Sequence, residues 1–89
     1  MGGKSANIIT KNADLNKALE QSCMSLFFNA GQACIAGSRT FVHSSLYDKF
    51  VEESAKIAAK IKLGPSLSSC TEQGPLIDKD QMNKVLSYI

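Results

Sequence analysis

Two short apolar runs flank one amphipathic stretch, and that order limits the folds open to the chain. Residues 7–10 (Asn7-Ile8-Ile9-Thr10) and 39–43 (Arg39-Thr40-Phe41-Val42-His43) carry the β-branched and aromatic side chains of strands. Between them Leu15, Ala18, Leu19, Cys23, Leu26 and Phe27 recur at three- and four-residue steps. This spacing predicts a helix over 14–28 with one apolar face, and Asp14 suits its N-cap. A second stripe, Leu46, Phe50, Ile57, Ala58 and Ile61, predicts a helix over 45–61 that stops at Gly64-Pro65. Ser45-Leu46-Tyr47-Asp48 reads as its capping box, with Asp in place of Glu or Gln. Glu52 and Lys56 stand four apart in the favourable order on that helix. Residues 66–75 read as loop. Asp78 then has capping spacing to Gln81, and Met82, Val85, Leu86 and Ile89 trace one face of a helix over 78–89. The order β, α, β, α, α implies an α/β class with strands alternating with helices and a mostly parallel sheet. Two strands leave that sheet incomplete, and the remainder is expected from sequence outside this chain.

Eighty-nine residues make at most one small domain, which buries only about 60–65% of its unfolded surface. The net charge of +2, with dispersed lysines, gives no basic footprint, so no nucleic-acid partner is expected. No apolar run approaches the roughly 20 residues that span a bilayer, and no membrane partner is expected. The first residues lack an apolar signal core. Cys23, Cys34 and Cys70 contain no C-x-x-C pair, and His43 is the single histidine, so no metal site is expected. Free thiols suit the cytoplasm or the mitochondrial matrix.

Cys34 stands apart from the other two cysteines. It lies in Phe27-Phe28-Asn29-Ala30-Gly31-Gln32-Ala33-Cys34-Ile35-Ala36-Gly37-Ser38-Arg39, between a helical pattern and a strand, bracketed by Gly31 and Gly37. Small neighbours leave room for a substrate carbon, and loop N–H groups are available to an oxyanion, as a nucleophilic thiol requires. The dull alternative is a small buried hydrophobe, the commonest fate of free cysteine. Cys23 sits on the apolar stripe and reads as core, and Cys70 sits in a polar loop and reads as an exposed bystander. Asn29 tolerates the left-handed conformation and suits the end of the first helix. Arg39 reads as a brace for the loop, and His43 as a strand-end surface residue. Gly2-Gly3-Lys4-Ser5 lacks the spacing of a phosphate loop.

The segment FFNAGQACIAGSR resembles the active-site cysteine signature of the NAD(P)-dependent aldehyde dehydrogenases. Met1-Gly2-Gly3-Lys4-Ser5-Ala6-Asn7 is similar to the family segment upstream of it, and Thr71-Glu72-Gln73-Gly74-Pro75 to a third. The likeness runs from Gly2 to Ile89. It implies that residues 1–89 are a partial aldehyde dehydrogenase catalytic domain, with the cofactor domain and oligomerisation arm absent. It implies Cys34 as catalytic nucleophile, Gly2 and Gly3 as a tight turn at the nicotinamide end of the cofactor, and Gln81 and Lys84 near a ribose. The cofactor implied is NAD or NADP, the partner a small-molecule aldehyde, and the full-length enzyme a homo-oligomer. Met1 stands where the family has leucine after a catalytic glutamate, so that glutamate is expected just before the first residue. Glu52, Glu53 and Glu72 do not replace it. The resemblance thus implies oxidation of an aldehyde to a carboxylic acid through a cysteine thiohemiacetal and thioester, with the chain inactive alone. Two other classes stay open: a non-enzymatic short protein that binds a full-length relative, and another thiol enzyme, an acyltransferase or thiol peroxidase.

Overall fold

Ile9, Leu19 and Phe50 come together as the core of the structure, a computed structural model that describes residues 2–89. They arrive from strand β1 (Ala6–Ile9), helix α1 (Leu15–Phe27) and helix α2 (Ser44–Lys60). Strand β2 (Arg39–Val42) follows α1 and pairs with β1 in parallel, in the register Ala6 to Arg39 through Ile9 to Val42. The His43 N–H donates to the Ile9 carbonyl at 2.9 Å and carries the pairing one residue further. Ala13, Leu15, Ala18, Val42, Leu46 and Ile57 pack around the core. Leu15, Ala18, Leu46 and Ile57 are stripe positions that helical spacing selects, while Ala13 precedes α1 and Val42 lies in β2.

The first helix is capped as its sequence requires: the Asp14 carboxylate accepts from the Lys17 N–H at 3.1 Å. The second is not. The N-cap of α2 is His43, whose Nδ1 accepts from the Ser45 N–H at 3.2 Å, and Ser44 is already helical. A ring nitrogen two residues earlier in the chain reaches the Ser45 N–H, the group that the Asp48 carboxylate would serve in the expected capping box. Along the outer face of α2, Lys56 bonds Glu52 at 2.8 Å and Glu53 at 2.9 Å. These carboxylates push the Lys56 ammonium up from its ordinary pKa, and Lys56 in turn holds the Glu52 carboxyl low.

The stretch that follows α2 is less irregular than expected. The Glu72 and Gln73 N–H groups both donate to the Lys62 carbonyl, at 2.9 and 3.2 Å, and the Glu72 carboxylate accepts from the Lys62 N–H at 2.9 Å. The T-E-Q-G-P segment is thereby tied back to the end of α2. Helix α3 (Lys79–Tyr88) is capped by Asp78, which accepts from the Gln81 N–H at 2.8 Å. Every residue of α3 is exposed. On its apolar face Met82, Val85 and Leu86 are 41%, 38% and 59% exposed, and none of the described residues buries them.

At its C-terminal end α1 turns left-handed. Asn29, Ala30 and Gly31 all have positive φ, 53°, 56° and 74°. Asn29 behaves as its residue type predicts, and its Nδ2 donates to the Gln32 carbonyl at 3.2 Å. Ala30 is the costly member, because its Cβ crowds the following carbonyl by about 1–2 kcal/mol. Ala30→Gly is expected to raise stability by about 0.5–1 kcal/mol after the extra unfolded-state entropy of glycine is subtracted. A shift of the urea midpoint without a change of slope is the measurement that checks it.

Candidate active site

The turn at Asn29–Gly31 delivers the chain into the loop that carries Cys34. The Ala36 N–H donates to the Ala33 carbonyl at 3.0 Å, so Cys34 and Ile35 are the two central residues of a tight turn. Ala36 and Gly37 are buried beneath that turn, and Cys34 is exposed at its outer corner. The Cys34 N–H enters no backbone hydrogen bond among the described residues outside the regular elements, which leaves it free to donate.

One side chain of α1 fixes this loop to the helix, and a second holds strand β1 beside it. Ser25 Oγ accepts from the Gly37 N–H at 3.2 Å, and a Cβ on Gly37 would stand 3.0 Å from that oxygen. Asn7 Nδ2 donates to Ser22 Oγ at 2.7 Å and ties β1 to the same helix face. Sequence reasoning passed over Ser22 and Ser25. Their signal was present: they stand three apart, on one face beside the apolar stripe, where polar residues have to find partners.

The N-terminal segment closes the site from the other side. Gly3 lies so close to the Cys34 carbonyl that a Cβ there would overlap the oxygen. Gly2 has open space where a Cβ would stand. Gly2, Gly3, Gly31, Gln32, Ala33, Cys34, Ala36 and Ser38 line a cleft of about 340 Å³. No carboxylate, imidazole or bulky apolar side chain is among them. A second recess of about 310 Å³ adjoins it through Gln32 and is bounded by Asn29, Ala30 and the 72–75 segment.

The structure therefore gathers Gly2, Gly3 and Cys34 into one cleft and leaves Gln81 and Lys84 outside it, on the free-standing helix α3. Asn29 is part of the backbone turn, His43 is a helix cap, and Glu72 is engaged with the Lys62 N–H. Cys23 is half-buried, and burial pushes its thiol pKa above the ordinary value, which disfavours its thiolate. Cys70 is exposed in the 66–75 loop. Among the described residues no group of three or more His, Cys, Asp or Glu side chains is placed to hold a metal ion. No helix of the described chain is long and apolar enough to cross a membrane.

Residues 1–89 match the sequence profile of the aldehyde dehydrogenase family. The chain is 52% identical over its 89 residues to the mitochondrial aldehyde dehydrogenase of Homo sapiens and spans 17% of that protein. It is 49% identical, over the same length and the same share, to the mitochondrial benzaldehyde dehydrogenase of Antirrhinum majus. Its fold superposes on the NAD+ complex of the aldehyde dehydrogenase from Bacillus cereus with a TM-score of 0.93 and 45% sequence identity. That superposition covers 98% of this chain and 18% of the solved one.

Proposed function

This chain belongs to the aldehyde dehydrogenase family, and from that premise we propose that it supplies the nucleophile-bearing part of an NAD(P)+-dependent oxidation of an aldehyde to a carboxylic acid. The observation that carries the reading is the setting of Cys34: an exposed thiol at the corner of a tight turn, with a free N–H, in a cleft walled by small residues. In this reading the Cys34 thiolate attacks the aldehyde carbon, a C–S bond forms, and the carbonyl π electrons move onto oxygen. The Cys34 N–H donates to that oxyanion. Gly2 and Gly3 form the opposite wall. The open space at Gly2 and a cleft of about 340 Å³ fit the nicotinamide end of a dinucleotide and not the whole of one. NAD or NADP, when bound, accepts the hydride from the substrate carbon. Gln81 and Lys84 are assigned to a ribose of the same cofactor by the resemblance of their positions alone. Attack of water on the Cys34 thioester then releases the acid and restores the thiolate, and this step needs a general base. Among the described residues no carboxylate lines the cleft.

The isolated 89-residue chain is therefore expected to give no multiple-turnover NADH formation from NAD+ and short-chain or aromatic aldehydes. Holding two reactants in register can contribute about 7–11 kcal/mol, and no segment here forms a complete dinucleotide site. In a full-length context Cys34 is expected to alkylate faster than Cys23 and Cys70, with mass-spectrometric peptide mapping as the measurement. Multiple turnovers by the purified chain that vanish in Cys34→Ala would overturn the expectation of inactivity. Cys34 slower than the half-buried Cys23 would count against the nucleophile. The cytoplasm or mitochondrial matrix and a homo-oligomeric full-length enzyme complete the proposal.

A second reading rests on the uncovered face of α3, where Met82, Val85 and Leu86 are exposed beside Tyr88 and Ile89. A short non-enzymatic protein that docks on a full-length relative would use such a face. Mass measured against concentration, with and without a full-length relative, separates the two: a complex favours docking, and an unchanged monomer removes it.

A further inference from the structure

We propose that Arg39 is a positioning residue that straps the Gly2–Gly3 segment over Cys34 and so sets the width of the cleft. The proposal concerns the same site as the nucleophile reading and rests on it only for its functional meaning. Three contacts converge on Arg39. Its Nε donates to the Lys4 carbonyl at 2.8 Å, a charge-assisted hydrogen bond spanning 35 residues of sequence. Its own N–H donates to the Ser5 carbonyl at 3.3 Å, where the parallel pairing of β1 and β2 begins. Its guanidinium lies over the Phe41 ring, 5.8 Å from the centroid, which limits the directions the side chain can take.

Lys4 directly follows Gly3, and Gly3 rests against the Cys34 carbonyl. Arg39 comes five residues after Cys34 in the same loop-to-strand connection. The guanidinium therefore joins the segment that carries Gly2 and Gly3 to the strand that follows the Cys34 loop. Without it, the backbone bond to Ser5 still anchors β1, but nothing on Arg39 holds residues 2–4, which can swing about Ser5. The planar fork of arginine suits this role better than a point charge, because Nε is held in line with the carbonyl while the outer face stacks on the ring.

The test uses a disulfide as a ruler in the full 89-residue chain. Gly2→Cys, with Cys70→Ser to remove the exposed bystander, places a thiol in the open space at Gly2. Oxidised glutathione takes the two electrons as the Cys34 and introduced thiols lose their protons and form the S–S bond. The rate of that bond is read by mass spectrometry with Arg39 present, in Arg39→Met, which keeps the aliphatic stem, and in Arg39→Lys, which keeps a cationic donor. The expected result is ready cross-linking with Arg39, a fall of about tenfold in the methionine variant, and a partial return with lysine. Cys23 alkylation, measured in parallel, is expected to stay constant across the three. Equal rates with arginine and methionine, no cross-link with arginine, or no return with lysine would each overturn the strap. A Cys23 that becomes faster in step would also overturn it, because Arg39 would then only be stabilising the fold. The ruler reads geometry alone, so its failure leaves the nucleophile reading standing, and a Cys34 that proves dispensable for NADH formation leaves the strap standing.

Discussion

Cys34→Ala is expected to lower NADH formation by about 10⁴–10⁶-fold in a protein in which this chain replaces the matching segment of a full-length relative. The loss is this large because the thiol is not an aid to the reaction but one of the bonded atoms. With no C–S bond there is no thiohemiacetal, and the residues that line the cleft around position 34 include no second thiol. Cys23→Ala in the same hybrid is expected to leave the rate within a few-fold, since it is half-buried on the α1 stripe. The measurement is steady-state NADH absorbance with saturating NAD+ and aldehyde. A hybrid that keeps more than about a hundredth of its rate without Cys34 is beyond what loss of a covalent nucleophile permits, and the assignment of Cys34 would have to be withdrawn.

Phe50→Ala is expected to be the most damaging single change to the fold, at about 3–5 kcal/mol. Phe50 is 6% exposed and is the one aromatic side chain in the core with Ile9 and Leu19. Domains of this size have only about 0.05–0.15 kcal/mol of stability per residue, so the loss takes much of the total. Val51→Ala, one residue along and 47% exposed, is expected to stay within about 0.5 kcal/mol of the parent. Urea unfolding followed by circular dichroism gives both values. Equal midpoints for the two variants would mean that α2 does not hold the core through Phe50.

The elements were legible in the sequence wherever a single face met a single core. The stripes Leu15-Ala18-Leu19 and Leu46-Phe50-Ile57 are read correctly because 3.6-residue periodicity and burial report the same geometry. Asp14 and Asp78 cap their helices as their residue types demand. The boundaries moved by no more than one residue, as at α2, where the His43 ring displaced Ser45 from the cap. The α3 stripe is legible too, but none of the described residues buries it, so periodicity alone described a helix face and nothing that covers it.

Residue types at short spacings were enough to reveal the family, the two parallel strands around one helix, and Cys34 as the residue of interest. Only the tertiary structure decided which distant segments meet. It placed Gly3 against the Cys34 carbonyl, Ser25 on the Gly37 N–H and Arg39 on the Lys4 carbonyl, and it left Gln81 and Lys84 on a helix apart from the cleft. The physical reason is that a local pattern fixes which face of an element is apolar, whereas contacts between segments follow from how those faces pack. A glycine that clears a loop and a glycine that clears a carbonyl are the same letter until the carbonyl arrives.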